Sequence, residues 1–267
     1  MRFGLKAYIG LFMLFLYAPT LLLPVFAFND STIVAFPLSG LTFKWMAALR
    51  DTAALHSATL NSLFIAVTTA TLATMLGILA ARASARYKFP GRGPIMGFIM
   101  IPMALPEIII GVSLLVVLLQ MGFNLSLWAI ILGHVLICTP FAIAILRSAF
   151  QRLDPSMEEA SLDLGHSRFA TFMQITLPLI MPAVISSFLI SFTISLDEFV
   201  IAFFLSGTEP TLPVYIWGQL RFPRKIPSIM ALGTLLLLLS LCILVFAEYV
   251  RRRGARKTGI EDQGGMW

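Results

Sequence analysis

Three acidic residues lie in stretches of the sequence that are otherwise apolar, and they are the first candidates for chemistry. Glu107 lies within one apolar run, and the adjacent Asp197 and Glu198 lie near the end of another. A charged side chain costs roughly 2.5–3.5 kcal/mol at the centre of a bilayer on insertion scales, so such residues usually face a polar cavity or pair with another group. Three carboxylates toward the outer half of a membrane would suit a di- or trivalent cation. We therefore take these residues as candidates for a substrate path.

A structural role is the alternative interpretation of the same residues. Asp197 and Glu198 would then simply end a membrane span or form a hydrogen bond with a neighbouring helix. Because adjacent side chains on a helix point about 100° apart, at most one of the two is expected to face a path. His134, in another apolar run, is expected to be hydrogen-bonded between helices rather than to be a ligand or a proton relay.

The sequence shows no motif for catalysis or for cofactor binding. No nucleophile–base pair and no metal-ligand cluster emerges, and Cys138 and Cys242 both lie in apolar runs without metal-ligand spacing. The Gly-rich GxxxxGK[ST] loop that cradles nucleotide phosphates is also missing from the sequence. We therefore expect no enzyme activity, no metal and no cofactor bound by this chain itself.

The loop over residues 153–178 contains residues typical of the start and the end of a short helix. Asp154 is placed to cap it, Pro155 suits its first position, and acidic residues follow where the positive end of the helix dipole favours them. Gly165 is placed to end the helix, since glycine adopts the left-handed conformation at little cost. A second, amphipathic helical stretch begins near Ser167. The simplest interpretation is a solvated linker with an interfacial helix.

The amino-acid composition indicates that membrane-spanning helices position the candidate residues. Of 267 residues, 58% are hydrophobic and 12% are charged, with a mean hydropathy of +0.91. Soluble domains of this length carry about 25% charged residues. The bilayer is therefore the expected destination of most apolar surface. The net charge of +6 reflects membrane topology and lipid contact rather than binding of nucleic acid.

Six stretches are long and apolar enough to cross a membrane, which takes about 20 residues each. The expected spans cover residues 7–28, 59–81, 95–119, 126–146, 179–205 and 228–247. The first is too long for the apolar region of a secretory signal, so we expect it to be a retained span. Pro102 and Pro106 could unwind the third span beside Glu107. The predicted fold class is all-α, a polytopic membrane protein with six transmembrane helices.

The distribution of lysine and arginine predicts the orientation. Fourteen of the 19 basic residues fall on the side that carries both termini and the 153–178 loop. Both termini are therefore expected to be cytoplasmic. We expect one six-helix membrane domain over residues 1–257 and a flexible cytoplasmic tail over residues 258–267.

The 153–178 loop resembles the EAA motif of ABC importer permeases. The resemblance is carried by Glu159-Ala160-Ser161, then Gly165 after three residues, then Ile175-Thr176-Leu177-Pro178 after nine more. It implies the type I ABC importer permease (MetI-like) fold, in which this loop is a coupling helix in a groove of a separate ATPase. The residues expected to couple to the ATPase are Glu158, Glu159, Ala160, Ser161, Leu162, Leu164 and Gly165.

Other segments resemble the permeases of spermidine/putrescine importers, the PotC/PotI type. The similar residues are Pro106-Glu107-Ile108, Ser113-Leu114-Leu115, Gly133-His134, Pro140-Phe141, the run from Phe192 to Glu198, Thr211-Leu212-Pro213, and the run from Ser228 to Leu239. The resemblance implies a polyamine importer in a bacterial inner membrane that works by alternating access. The implied partners are a homologous second permease, an ATPase dimer that binds ATP and Mg, and a periplasmic solute-binding protein.

Two alternatives stay open at this level. The same class of transporter could carry another small solute or ferric iron. A protein of a different class, an ion-driven secondary transporter or a channel, would need no ATPase at all. The outward segment 206–227 has two interpretations as well, either a membrane-surface helix or a contact for the solute-binding protein.

Overall fold

The fold is helical, as the sequence predicts. The structure, a computed structural model, describes residues 2–258 and the side chains of residues 4–242. Within these residues the only β pairing is an isolated bridge between Asn29 and Leu41. The chain forms two compact units, one of Met1–Ala53 with Ile216–Trp267 and one of Ala54–Tyr215. The expected flexible tail lies almost entirely outside the described residues.

The helices follow one another along the chain, and the longest connection lies between α1 and α2. Their bounds are α1 Arg2–Ala27, α2 Lys44–Arg50, α3 Ala53–Arg86, α4 Arg92–Met100, α5 Glu107–Gln120, α6 Leu127–Arg152, α7 Pro155–Asp163, α8 Arg168–Thr171, α9 Leu177–Asp197, α10 Val200–Leu205, α11 Leu212–Leu220 and α12 Ile226–Thr258. Short 3₁₀ turns cover Ile101–Met103 and Pro223–Lys225, and a π-helical segment covers Phe172–Thr176.

The first unit is built around the packing of α1 and α2 on α12. The loop after α1 is organised by Asn29, whose side chain is buried. The Oδ1 of Asn29 accepts a hydrogen bond from the Ser39 N–H (2.9 Å), and its carbonyl oxygen accepts one from the Trp45 indole N–H (2.8 Å). Lys44 forms an ion pair with Asp30 beside this loop. The loop is therefore ordered by polar contacts together with ring contacts of Phe26 with Phe36 and of Phe28 with Phe43.

The second unit has α6 at its centre, packed along α9. Its largest buried cluster contains Ile65 of α3, Ile130 and Ile131 of α6, and Ile201 of α10. A second cluster surrounds Phe150 at the end of α6 that leads to α7. This packing brings the ends of α3, α6 and α9 together around α7.

The predicted spans correspond to long apolar helices. Among the residues that the structure describes, five helices are long and apolar enough to cross a membrane, and the count becomes six if a bent pair is one span. The bent pair, Arg92–Met103 with Glu107–Gln120, turns by 103° inside the predicted span over residues 95–119. Proline explains the break, because Pro106 lacks an N–H and disfavours helical geometry in the residue before it.

Other helix bounds also differ from those of the predicted spans, most clearly in the last two spans. The stretch 179–205 is interrupted after Asp197, where Glu198 adopts an extended conformation (ψ 117°), and a separate helix α10 begins at Val200. At its other end the helical path begins earlier, at Arg168. The last helix continues to Thr258, beyond the predicted end at residue 247. Helical backbone therefore extends beyond the apolar runs from which the boundaries were predicted.

Candidate functional site: the loop between the fourth and fifth spans

The predicted start of helix α7 is confirmed. Oδ1 of Asp154 accepts a hydrogen bond from the Ser156 N–H (3.0 Å), and Pro155 occupies the first helical position. The hydrogen bond from Ser156 holds the pKa of the Asp154 carboxyl below its usual range. The cap satisfies one of the backbone N–H groups that have no partner within the helix.

Gly165 ends α7 as predicted, in the left-handed conformation with φ +87°. The Gly165 N–H donates to the Leu162 carbonyl (2.9 Å), and the His166 N–H donates to the Ser161 carbonyl (3.2 Å). These two hydrogen bonds define a Schellman motif, which needs a residue that accepts positive φ. A Cβ added at Gly165 would meet nothing within 4 Å, so the requirement for glycine here is conformational.

The segment after α7 is interrupted at residues 164–167 and is then helical without a break from Arg168 into the fifth span. The Ser167 hydroxyl accepts a hydrogen bond from the Ala170 N–H (3.1 Å) and caps α8. A π-helical turn over Phe172–Thr176 follows, and α9 begins at Leu177. Helical backbone is therefore continuous from α8 into α9, but not from α7 into α8.

Glu158 makes its contacts within the chain. Its Oε1 accepts a hydrogen bond from the Thr176 hydroxyl (2.8 Å), and its Oε2 lies 3.5 Å from Nε of Arg86. The second contact is an ion pair without hydrogen-bond geometry, since that Nε has no hydrogen-bond partner. The Arg86 guanidinium donates to the Leu153 carbonyl (2.9 Å). Glu158 and Arg86 are largely buried, with 15% and 13% of their side chains exposed.

Ser161 also faces inward. It is 2% exposed, and its hydroxyl lies 3.0 Å from the Thr171 hydroxyl and 3.1 Å from Nδ1 of His166. The seven residues predicted to couple to an ATPase therefore divide into two groups. Glu158 and Ser161 hold α7 against the rest of the chain. The others are exposed, namely Glu159, Ala160, Leu162, Leu164 and Gly165.

The structure brings the three candidate substrate-path residues to one region. Glu107 is the first residue of α5, Asp197 is the last residue of α9, and neither side chain is buried. Glu198 is 6% exposed, and its Oε1 accepts a hydrogen bond from the Ile201 N–H (2.9 Å) at the start of α10. Glu107 is close enough to Glu198 for the two carboxylates to interact electrostatically. Packing of α10 on α5 produces this proximity.

Other predictions for single residues can also be checked. His134 is buried, and its Nδ1 lies 2.8 Å from the Ser195 hydroxyl, which confirms the interhelical hydrogen bond. Arg86 and Thr176 were not predicted to be site residues. Arg86 is one of the 14 basic residues predicted to be cytoplasmic, and no periodicity connects it to Glu158, which lies 72 positions later. Thr176 lies inside the Ile-Thr-Leu-Pro stretch of the EAA-type motif, and this position could have indicated that it is a site residue.

Known proteins resemble this chain along most of its length. The family described as "Binding-protein-dependent transport system inner membrane component" matches residues 73–256. The spermidine/putrescine permease PotC of Shigella flexneri is 35% identical over 246 residues, which cover 92% of each chain. The putrescine permease PotI of Escherichia coli K12 is 38% identical over 234 residues, covering 84% of this chain and 82% of PotI.

A solved structure shows the same fold. A bacterial alginate ABC transporter, determined in complex with an alginate pentasaccharide-bound periplasmic protein, aligns with a TM-score of 0.72 at 20% identity, covering 94% of this chain and 93% of the other. The EAA-type loop, the helical fold and these matches agree with one another. The chain therefore belongs to the family of inner-membrane components of binding-protein-dependent transport systems, and it is a permease subunit of the ABC importer class rather than an enzyme.

Proposed function

We propose that this permease imports a polyamine-like cation across the bacterial inner membrane. The observation that carries the proposal is the similarity to spermidine/putrescine and putrescine permeases, which extends over more than four-fifths of the chain. The acidic cluster of Glu107, Asp197 and Glu198 supports it independently. A di- or trivalent cation is attracted to carboxylates, and the attraction is strongest where water is scarce.

Within the acidic cluster, the proposed roles differ. Glu107 and Asp197 have accessible side chains and are the residues proposed to meet the cation. Glu198 is buried and holds the start of α10, so its proposed contribution is charge close to Glu107 and a fixed position for α10. The break between α4 and α5 supports this arrangement, because interrupted helices at membrane depth usually line a cavity.

The proposed motor is a separate ATPase dimer that binds ATP and Mg and receives the exposed residues of α7. A homologous second permease would complete the translocation path, and a periplasmic solute-binding protein would deliver the substrate. The alginate transporter was solved in complex with a periplasmic protein, which supports the last partner. The charge distribution supports an orientation with both termini in the cytoplasm.

Transport would proceed by alternating access. Closure of the ATPase dimer moves α7, and the two permeases open outward to receive the cation. Hydrolysis returns them to the inward-facing state and releases the cation into the cytoplasm. In this scheme the chain breaks no bond in the substrate and contributes only conformational change, consistent with the rigid caps at both ends of α7.

The class of mechanism is tested by uptake of radiolabelled putrescine and spermidine in cells that contain the complete transporter. Disabling the ATP site of the ATPase should abolish uptake, while the amount of this chain in the membrane stays unchanged. Full uptake without a working ATPase would instead indicate an ion-driven transporter or a channel. Uptake of ferric iron or of a neutral solute, with no competition from polyamines, would indicate a different substrate.

The acidic path is tested with Glu107→Gln and Asp197→Asn. Loss of one carboxylate near a cation in partly dehydrated surroundings is worth about 1–2 kcal/mol, so the substrate concentration at half-maximal uptake should rise about tenfold. Asp51→Asn, which removes an exposed carboxylate beside α2, is the matched control and should leave uptake unchanged. Unaltered uptake in both path variants would rule out the acidic path without affecting the assignment to the ABC class.

A further inference from the structure

One carboxylate joins helix α7 to two membrane spans at once. Oε1 of Glu158 accepts a hydrogen bond from Thr176, in the π-helical segment at the base of α9, at 2.8 Å. Its Oε2 lies 3.5 Å from Nε of Arg86, the last residue of α3. Because both charged side chains are largely buried, their attraction is screened less by water and salt than that of a surface pair.

Arg86 extends the same set of contacts to the end of the fourth span. Its guanidinium donates a hydrogen bond to the carbonyl of Leu153 (2.9 Å), the residue that follows α6. One turn earlier on α3, the guanidinium of Arg82 lies over the ring of Phe172, 4.5 Å from its centre. Phe172 is the first residue of the π-helical segment, so α3 also contacts the base of α9 directly, in addition to the indirect connection through Glu158.

We infer that Glu158 is a positioning residue, which makes α3 and α9 move together with α7 and does not itself contact the ATPase. The inference rests on the proposed function, since it assumes that an ATPase moves α7. Without the Glu158 contacts, α7 would be joined to the end of α6 by the chain itself, and to α8 by the chain and the hydrogen bond between Ser161 and Thr171. With the Glu158 contacts in place, a displacement of α7 also reaches α3, which is distant in sequence.

The neighbouring glutamate provides an internal comparison. Glu159 is exposed, and within the described part of the chain it takes part in neither an ion pair nor a hydrogen bond. Two chemically identical side chains at adjacent positions therefore have opposite environments. Glu159 is free to meet a basic group of the ATPase, whereas the Glu158 carboxylate is already engaged by Arg86 and Thr176.

The experiment uses the complete transporter, with its second permease, ATPase and binding protein, in liposomes. It measures the amount of ATPase that copurifies with the complex and the ATP hydrolysed per cation imported. Glu158→Gln keeps an oxygen for Thr176 but removes the charge facing Arg86. This variant should retain the ATPase and raise the ATP used per cation by about two- to thirtyfold, the range for residues that couple distant sites. Glu159→Gln should instead reduce the amount of ATPase that copurifies with the complex.

A double-mutant cycle identifies the contact itself. Arg86→Gln should also raise the ATP used per cation. The double variant, Glu158→Gln with Arg86→Gln, should use no more ATP per cation than the more severe single variant, because both substitutions remove the same ion pair. Fully additive effects would overturn the inference, as would loss of ATPase binding in Glu158→Gln with a normal ratio in the remaining complex. Uptake that needs no ATPase would instead overturn the proposed function.

A second variant keeps the test decisive if Glu158→Gln does not fold. Thr176→Val removes the other contact of the Glu158 carboxylate without changing a charge, and it should raise the ATP used per cation as well. Thr193→Val is the matched control in the same span, since the Thr193 hydroxyl donates to the backbone of its own helix at Leu189 (2.9 Å). A normal ratio in Thr176→Val, or an equal rise in Thr193→Val, would overturn the inference.

Discussion

Nδ1 of His134 lies 2.8 Å from the hydroxyl oxygen of Ser195, in a hydrogen bond between α6 and α9 in which both residues are buried. The bond lies in the interior of the span bundle, where water is not available to replace it. The two central helices of the second unit are thereby joined by a polar contact in addition to their apolar contacts.

Ser195→Ala should destabilise the protein because it leaves both nitrogens of the His134 ring without a partner. Interhelical hydrogen bonds in membrane proteins average about 0.6 kcal/mol and reach about 1.7 kcal/mol, so a loss in this range is expected. Thermal unfolding of the protein in detergent would measure it. The control is Ser186→Ala on the same helix, where an exposed hydroxyl donates to its own backbone at Pro182 (2.9 Å). A loss of equal size in both variants would contradict the prediction.

Gly77→Ala should destabilise the contact between α3 and α6. A Cβ at this position would lie 2.8 Å from Cβ of Ala142 and 3.2 Å from its carbonyl carbon, and backbone cannot move aside locally. Overpacking of this kind costs about 1–3 kcal/mol. Gly97→Ala in α4 is the control, since its Cβ would meet nothing within 4 Å. The prediction fails if unfolding in detergent shows Gly77→Ala to be as stable as the control.

Gly165→Ala should weaken the end of α7 because a side chain at φ +87° is strained. The left-handed conformation costs a non-glycine residue about 1–2 kcal/mol, and asparagine tolerates it better than alanine does. Limited proteolysis of the loop and the uptake assay should therefore rank Gly165→Asn between the wild type and Gly165→Ala. The absence of any difference between the two variants would indicate that backbone conformation is not the reason for glycine here.

Substitutions of Glu198 should separate its structural role from its charge. Glu198→Gln keeps an oxygen that can accept the Ile201 N–H, so α10 should remain in place and the protein should unfold near the wild-type temperature. Glu198→Ala leaves that buried N–H without its acceptor, which costs about 1–3 kcal/mol. Melting curves of the two variants in detergent test this. If the glutamine variant unfolds as early as the alanine variant, the charge rather than the hydrogen bond stabilises α10.

The sequence predicted the local features of the 153–178 loop, and the reason is physical. The cap at Asp154, the end at Gly165 and the restart at Ser167 each depend on hydrogen bonds between residues at most five positions apart. Such contacts are determined by side-chain chemistry and backbone conformation, which can be assessed one residue at a time. The family resemblance depends on the same residues.

The contacts that depend on tertiary packing were not predictable in the same way. Arg86 meets the loop only because α3, α6 and α9 converge there, and a positive charge near a span end indicates topology equally well. The prolines indicated a break beside Glu107, but they predicted neither its angle of 103° nor the packing of α5 on α10. Composition therefore predicted where the chain crosses the membrane, and packing decided which of its charges meet.

The π-helical turn over Phe172–Thr176 has a consequence for the geometry of the motif. A π turn holds about one residue more than an α turn, and each α-helical residue advances the azimuth by about 100°. Between Gly165 and Pro178, the direction of a side chain therefore differs from the direction that the same number of residues would give in a regular α-helix. The side chains of α9 are rotated about the helix axis, relative to those of α8, compared with an uninterrupted α-helix of the same length. This offset lets Thr171 and Thr176 both turn their hydroxyls toward α7.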